Sequence, residues 1–316
     1  MASPEPPAAG PPRTMREARA RAAPGIMLVG VIGSPIAHSL SPLLHETAFR
    51  ALGLGESWQS FAFEIPPGSA AAALDEMREA AVAGLSVTMP HKADAAALVD
   101  ECSAVARDLH AVNCVVNRDG SLYGDNTDGE GFLASLSRAA GFDASGRRCL
   151  VAGAGGAARA VVRALADAGA AQVVVVNRTP ERAGEAAALA GPAGATVAPE
   201  DVKSLATAVE GADLVVNATP LGMQPAATLR RAMEQARQWL VPPELFHPGQ
   251  VAADLVYVPR RTPWLVEAEE RGATPVDGLG MLVHQAAGAI TRWTGREAPV
   301  EAMWLAAVAA LPDLHN

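Results

Sequence analysis

Aromatic side chains are scarce in this chain, with six Phe, five Trp and two Tyr among 316 residues. That leaves little from which to build stacking platforms for single-stranded nucleic acid. Cysteine is scarcer. Cys102, Cys114 and Cys149 are odd in number and form no C-x-x-C, which excludes a disulfide framework and a cysteine-based zinc site. No metal is expected, and a reducing compartment, the cytoplasm, is the expected location. Positive charge is in deficit, at 25 Lys and Arg against 34 Asp and Glu, for a net −9. This is the wrong sign for a phosphate-backbone binder or a surface drawn to anionic lipid, so no nucleic-acid or membrane partner is expected. Long hydrophobic runs are absent too. The uncharged stretch from Ala22 to His45 contains Pro24, Pro35, Pro42 and two histidines, which rules out a membrane-spanning helix there.

What remains is an ordinary globular composition. Half the residues are hydrophobic and 19% are charged, and the length suits about two domains. The first 24 residues stand apart as a Pro/Ala/Arg tract with Arg13, Arg16, Arg19 and Arg21, followed by the apolar run Ile26–Ile32. This order imitates a signal peptide, but the apolar run leads straight into candidate site residues. The tract reads as a disordered extension whose removal should leave activity intact.

From residue 26, short apolar runs alternate with Ala-rich helical stretches, the pattern of an α/β protein. Ile26–Ile32 reads as a strand. Ser41-Pro42 opens a helix, with Ser41 as its N-cap and Gly53 at its end. Phe61, Phe63 and Ile65 alternate as a strand. A helix over 69–83 ends at Gly84, and a strand follows over Leu85–Thr88. Asp119-Gly120 predicts a tight hairpin between strands over 111–116 and 121–124. Strands at 148–152, 172–176, 213–217 and 251–255 then continue the rhythm of a parallel, doubly wound sheet.

Gly153, Gly155 and Ala158 complete G-x-G-x-x-(G/A) between a strand and a helix. The first glycine allows the tight turn, the second lets a pyrophosphate approach, and the small third residue lets helix and strand pack closely. The backbone of Gly153, Ala154, Gly155, Gly156 and Ala157 is therefore the candidate phosphate cradle. At the tip of the next strand an NAD enzyme would carry Asp or Glu, but this chain has Asn177, Arg178, Thr179 and then Arg182. Two guanidiniums and two small polar groups suit a 2′-phosphate, so NADP is the expected cofactor.

Three further polar clusters each follow a strand. They are Gly33-Ser34-Pro35-Ile36-Ala37-His38-Ser39-Leu40-Ser41-Pro42, Ser86-Val87-Thr88-Met89-Pro90-His91-Lys92 and Gly124-Asp125-Asn126-Thr127-Asp128-Gly129. Asn217-Ala218-Thr219-Pro220-Leu221-Gly222-Met223, Asp254-Leu255-Val256-Tyr257 and Gly280-Met281-Leu282-Val283-His284-Gln285 follow later. Together with Asn177-Arg178-Thr179, and in this order, these strings resemble the shikimate dehydrogenase family from about residue 28 to 295.

The resemblance implies two α/β domains: an N-terminal substrate-binding domain and a Rossmann-type, doubly wound NADP-binding domain. Residues 25–127 with 278–316 would form the first and 128–277 the second. It also implies NADP-dependent interconversion of shikimate and 3-dehydroshikimate, a step of aromatic amino-acid biosynthesis. Lys92 and Asp128 would be the catalytic pair. Ser39 and Ser41 would bind the substrate carboxylate, with Thr88 and Tyr257 nearby, while Asn113, Asp128 and Gln285 would hold ring hydroxyls. Thr219, Gly278 and Met281 would border the cofactor. Ser86, Glu46 and Cys114 depart from the family's usual Asn, Asn and Thr. The loss of an amide at Ser86 leaves quinate or an amino analogue of shikimate as alternative substrates. A catalytically idle NADP-binding sensor is the alternative of another class. Small molecules are the expected partners, and monomer and homodimer both remain open.

Overall fold

The computed structural model describes residues 11–223 and 239–311. Two six-stranded sheets organise them. The first is built from β1 (Met27–Gly33), β2 (Trp58–Glu64), β3 (Val82–Val87), β4 (Glu101–Cys102), β5 (Cys114–Arg118) and β6 (Ser121–Asp125), in the order β2-β1-β3-β5-β6-β4. β1 is parallel to β2 and β3, whereas β5 runs antiparallel to both β3 and β6. The β5–β6 hairpin turns through Asp119 and Gly120, both at positive φ, as the Asp-Gly pair predicts. Because β5 is reversed, its first residues lie at the same sheet edge as the last residues of β1, β3 and β6.

The two faces of this sheet are covered differently. α1 (Met15–Arg21), α3 (Ala70–Glu79), α4 (Lys92–Leu98) and α5 (Ala104–Leu109) share one core with Leu28, Ile32, Leu85 and Val87. α2 (Ser41–Ala51) and two C-terminal helices, Leu279–Thr294 and Val300–Ala310, cover the other face around Val29, Phe49, Trp58 and Cys114.

The second sheet contains β7 (Arg148–Ala152), β8 (Gln172–Val176), β9 (Gly194–Val197), β10 (Leu214–Asn217), β11 (Val251–Asp254) and β12 (Thr274–Val276). All its pairings are parallel, in the order β12-β11-β10-β7-β8-β9. The order reverses between β7 and β10, which opens a crevice at their carboxyl ends. α6 (Asp128–Ala140), α7 (Gly156–Asp167) and α8 (Pro180–Ala188) pack on one face. α9 (Val202–Glu210) and the helix Pro263–Glu270 cover the other. No helix among the described residues is long and apolar enough to cross a membrane.

Three local expectations are corrected. Within the proposed disordered tract, residues 15–21 form α1, with Met15 and Ala18 at 0% and 1% exposure inside the first core. Thr14 caps α1 through Glu17 N, and Arg19 bonds the carbonyls of Ala80 and Ile26. The tract's alternation of arginine and apolar residues is thus a docked amphipathic turn; residues 1–10 lie outside the described part. α3 stops at Glu79 rather than Ala83, and Gly84 lies inside β3. Gly84 is there because a Cβ would fall within 2.2 Å of Trp293 Nε1, whose indole lies across the strand and donates to Val115 O. Ser41 is the first residue of α2, not its cap. Leu40 occupies the cap position without a side-chain bond, and Ser41 N–H donates to Ser39 Oγ at 3.2 Å.

Candidate active site

The carboxyl edge of the first sheet gathers the substrate-side residues. Lys92 opens α4, just after β3, and Asp128 opens α6, just after β6. Lys92 Nζ donates to Asp128 Oδ2 at 2.6 Å, with the two side chains 18% and 5% exposed. Asn113 immediately precedes the reversed β5, and its Nδ2 donates to Asp128 Oδ1 at 2.7 Å and to Thr127 Oγ1 at 3.0 Å. Both carboxylate oxygens therefore have fixed partners, and one faces a cation. Thr127, fully buried and given no role by the sequence reading, donates its hydroxyl to the carbonyl of Gln285 at 2.9 Å. This bond ties the start of α6 to the returning helix Leu279–Thr294. Gly131 makes the same contact possible, since a Cβ there would meet Gln285 N at 2.7 Å.

Two loops are fastened at the end of β2. Glu64 accepts from Ile36 N–H at 2.8 Å, and the Ser34 hydroxyl, with that N–H, holds its carboxyl below the usual range. His91, fully buried, donates from Nε2 to Ile65 O at 2.7 Å, pinning the residue before Lys92. Ser34 N–H reaches Met89 O, joining the two loops. Ser39 and Thr88 are half-buried on these loops, and Ser41 is buried in the first turn of α2. Tyr257 packs partly buried against the core shared by α2 and the returning helix, and burial pushes its phenol up. Cys114 is buried, with its thiol pushed up to about 12, consistent with an inert core residue.

The second sheet supplies the facing wall. Gly153 adopts φ +116, and a Cβ on it would stand 2.9 Å from Ala218 O, so glycine is required by both conformation and space. A Cβ on Gly155 would meet nothing within 4 Å, and α7 starts at Gly156 with no side-chain cap. Open space above uncapped N–H groups at a helix start is a fitting place for a pyrophosphate. Arg178, Thr179 and Arg182 are exposed at the tip of β8, and Asn177 is partly buried there, donating to Thr179 O at 3.1 Å. The charge needed for a 2′-phosphate is thus in reach of solvent and unshielded by core. Thr219, after β10, donates from N and Oγ1 to Asn217 Oδ1. Gly278 lies at the start of the returning helix and Met281 within its first turns, Met281 sharing a core cluster with Ala154 of the glycine turn.

The two walls come close beside Lys92. A Cβ on Gly156 would lie 4.0 Å from Lys92 Cδ, so the lysine of the first sheet stands over the glycine turn of the second. Gly129 of α6 permits the approach, because a Cβ there would meet Ala160 O of α7 at 3.0 Å. Ser39 and Ser41 do not bond the Lys92–Asp128 pair; what the structure joins directly is Lys92, Asn113, Thr127, Asp128 and the carbonyl of Gln285. Asn217, Asp254 and Thr127 belong to strings singled out in the sequence, yet only tertiary contacts mark them individually.

Family models match three stretches of the chain. Residues 31–115 match the family described as shikimate dehydrogenase substrate binding domain, 135–239 match shikimate / quinate 5-dehydrogenase, and 278–307 match the shikimate 5'-dehydrogenase C-terminal domain. The NADP(+) shikimate dehydrogenase of Moorella thermoacetica is 47% identical over 280 residues, covering 87% of this chain and 90% of that protein. The crystal structure of shikimate 5-dehydrogenase from Thermus thermophilus in complex with NADP(H) and shikimate superposes with a TM-score of 0.78 at 38% identity, covering 90% of this chain and all of that one. A quinate dehydrogenase from Corynebacterium glutamicum in complex with NAD gives the same TM-score at 28% identity, over 90% and 99% of the two chains.

Proposed function

Since the chain belongs to the shikimate dehydrogenase family, we infer that it interconverts shikimate and 3-dehydroshikimate, with NADP as hydride partner. The observation that carries this reading at the site is the Lys92–Asp128–Asn113 cluster placed against Gly156 of the phosphate-binding turn. When bound, NADP would supply the hydride acceptor or donor, and the protein's own residues handle the proton, the charge and the geometry. Lys92 is placed to exchange the proton of the reacting hydroxyl and to stabilise negative charge growing on its oxygen. Asp128, fixed by Asn113, orients the ammonium and accepts from a substrate hydroxyl. Ser39, Ser41, Thr88, Tyr257 and Gln285 complete a lining of donors and acceptors suited to a polyhydroxylated acid, in which every buried hydroxyl needs a partner. Arg178 and Arg182, with Asn177 and Thr179, select the phosphorylated cofactor.

Steady-state assays with shikimate or quinate, each with NADP or NAD, test the reading. Shikimate with NADP should give the highest kcat/KM. Preference for quinate would move the substrate assignment, and absence of NADPH formation despite NADP binding would favour the idle sensor. Arg178→Ala should weaken NADPH binding on the order of tenfold or more, the value of one charge-assisted bond, and spare NADH. Equal losses for the two cofactors would remove Arg178 from the selection.

A further inference from the structure

Asp254 ends β11 and is only 1% exposed. Its carboxylate accepts from three separate segments. Asn217 Nδ2 and Val256 N–H both donate to Oδ1 at 3.0 Å, and Thr262 Oγ1 donates to Oδ2 at 2.7 Å. Asn217 passes the constraint onward, since its Oδ1 accepts from Thr219 N–H at 3.2 Å and from Thr219 Oγ1 at 2.7 Å. Thr262 sits under the same loop, where a Cβ on Gly222 would stand 3.3 Å from Thr262 Cβ. In the other direction, Val256 O accepts from Gly278 N–H at 3.1 Å. The backbone there is so close that a Cβ on Gly278 would meet Leu255 O at 2.3 Å. The segment leading to Tyr257 is thereby pressed against the start of the helix that carries Met281 and Gln285.

We propose that Asp254 is a positioning residue for hydride transfer, one carboxylate that ties the Thr219 loop on the cofactor side to the Tyr257 segment and the returning helix on the substrate side. The proposal rests on the functional reading of the cleft given above. A carboxylate suits the task because it offers acceptors to three donors at once and donates nothing. Asparagine keeps one acceptor oxygen for Asn217 and Val256, so it is the conservative replacement. Alanine releases all three segments.

The test compares Asp254→Ala and Asp254→Asn in the full chain. The measurements are kcat, both KM values, the isotope effect with shikimate deuterated at the reacting carbon, and NADPH affinity from its fluorescence. Misplacement by an ångström can cost about a hundredfold in rate, so the Ala variant should lose kcat on that order. Both KM values should rise and the isotope effect should increase as hydride transfer becomes limiting, with substantial recovery in the Asn variant. A folded Ala variant with wild-type kinetics and isotope effect overturns the proposal. Should that variant not fold, Asn217→Ala decides, because it cuts only the arm to Thr219. It should weaken NADPH on the order of tenfold and leave the shikimate KM unchanged; unchanged NADPH affinity overturns the proposal. If the wild type proves not to oxidise shikimate, the functional reading fails on its own, and NADPH titration of these variants still decides the role of Asp254.

Discussion

Lys92 and Asp128 form an ion pair at 2.6 Å in a cleft that leaves the carboxylate 5% exposed. At that burial neither charge is cheap to strand. Lys92→Ala should lower kcat by about 10²–10⁴, the range of a general acid or base, with the KM for shikimate little changed; a rate near wild type would remove Lys92 from the mechanism. Burial lifts the Asp254 carboxyl to about 6, against three donors that oppose the shift. A carboxyl raised in the folded state contributes stability that is fully present below its unfolded value, near 4, and is lost as the pH climbs through 6. Relative to Asp254→Asn, the wild type should therefore lose stability between pH 4 and 7, by at most about 3 kcal/mol. Melting temperatures of the two proteins across that range check it, and a difference independent of pH would contradict it. These residue identities were visible in the sequence; that Asp254 is fully enclosed was not, because its partners Asn217 and Thr262 stand 37 and 8 positions away on other elements.

At the scale of elements, local chemistry foretold much of what the structure contains. The Asp119-Gly120 hairpin, the glycine turn after β7 and the close of the returning helix at Gly295 all depend on positive φ, which short-range sequence announces. Errors arose where a distant partner overrode a local signal. Gly84 looks like a helix terminator, yet it is a seat for the Trp293 indole. Arg-rich α1 looks like a solvated tail, yet Met15 plugs the core beside Met77 and Leu74. Removing residues 1–21 should consequently destabilise the protein, contrary to the expectation of a dispensable extension. Met15→Ala alone should cost about 2–5 kcal/mol, the usual range for truncating a fully buried methionine, read from the shift in denaturation midpoint. An unshifted midpoint would mean that α1 does not dock in solution.

For the molecule as a whole, the decisive contacts are those by which the C-terminal helix returns to the first sheet. Arg292 donates to Glu130 at 2.8 Å and to Asp125, joining the helix Leu279–Thr294 to α6 and β6. Those two carboxylates hold its guanidinium pKa above the usual range, although burial works against them. Arg292→Met should leave Asp125 without its cation and cost about 1–3 kcal/mol. Because Gln285 lies on the same helix and Asp128 on the same α6, the shikimate KM should rise with it. A stability loss without any change in KM would make Arg292 a clamp of the fold alone.

The sequence by itself determined the α/β class, the glycine turn after β7, the carboxylate-free tip of β8 at Asn177-Arg178-Thr179 and the family to which the polar strings belong. Each of these depends on residue type at short spacing, where backbone geometry and charge act locally. Only the tertiary structure decided that β5 runs backwards, so that Asn113 reaches Asp128, and that Lys92 stands over Gly156. Those facts follow from strand direction and helix packing across many residues, which depend on mutual burial of surfaces that no short stretch of sequence contains.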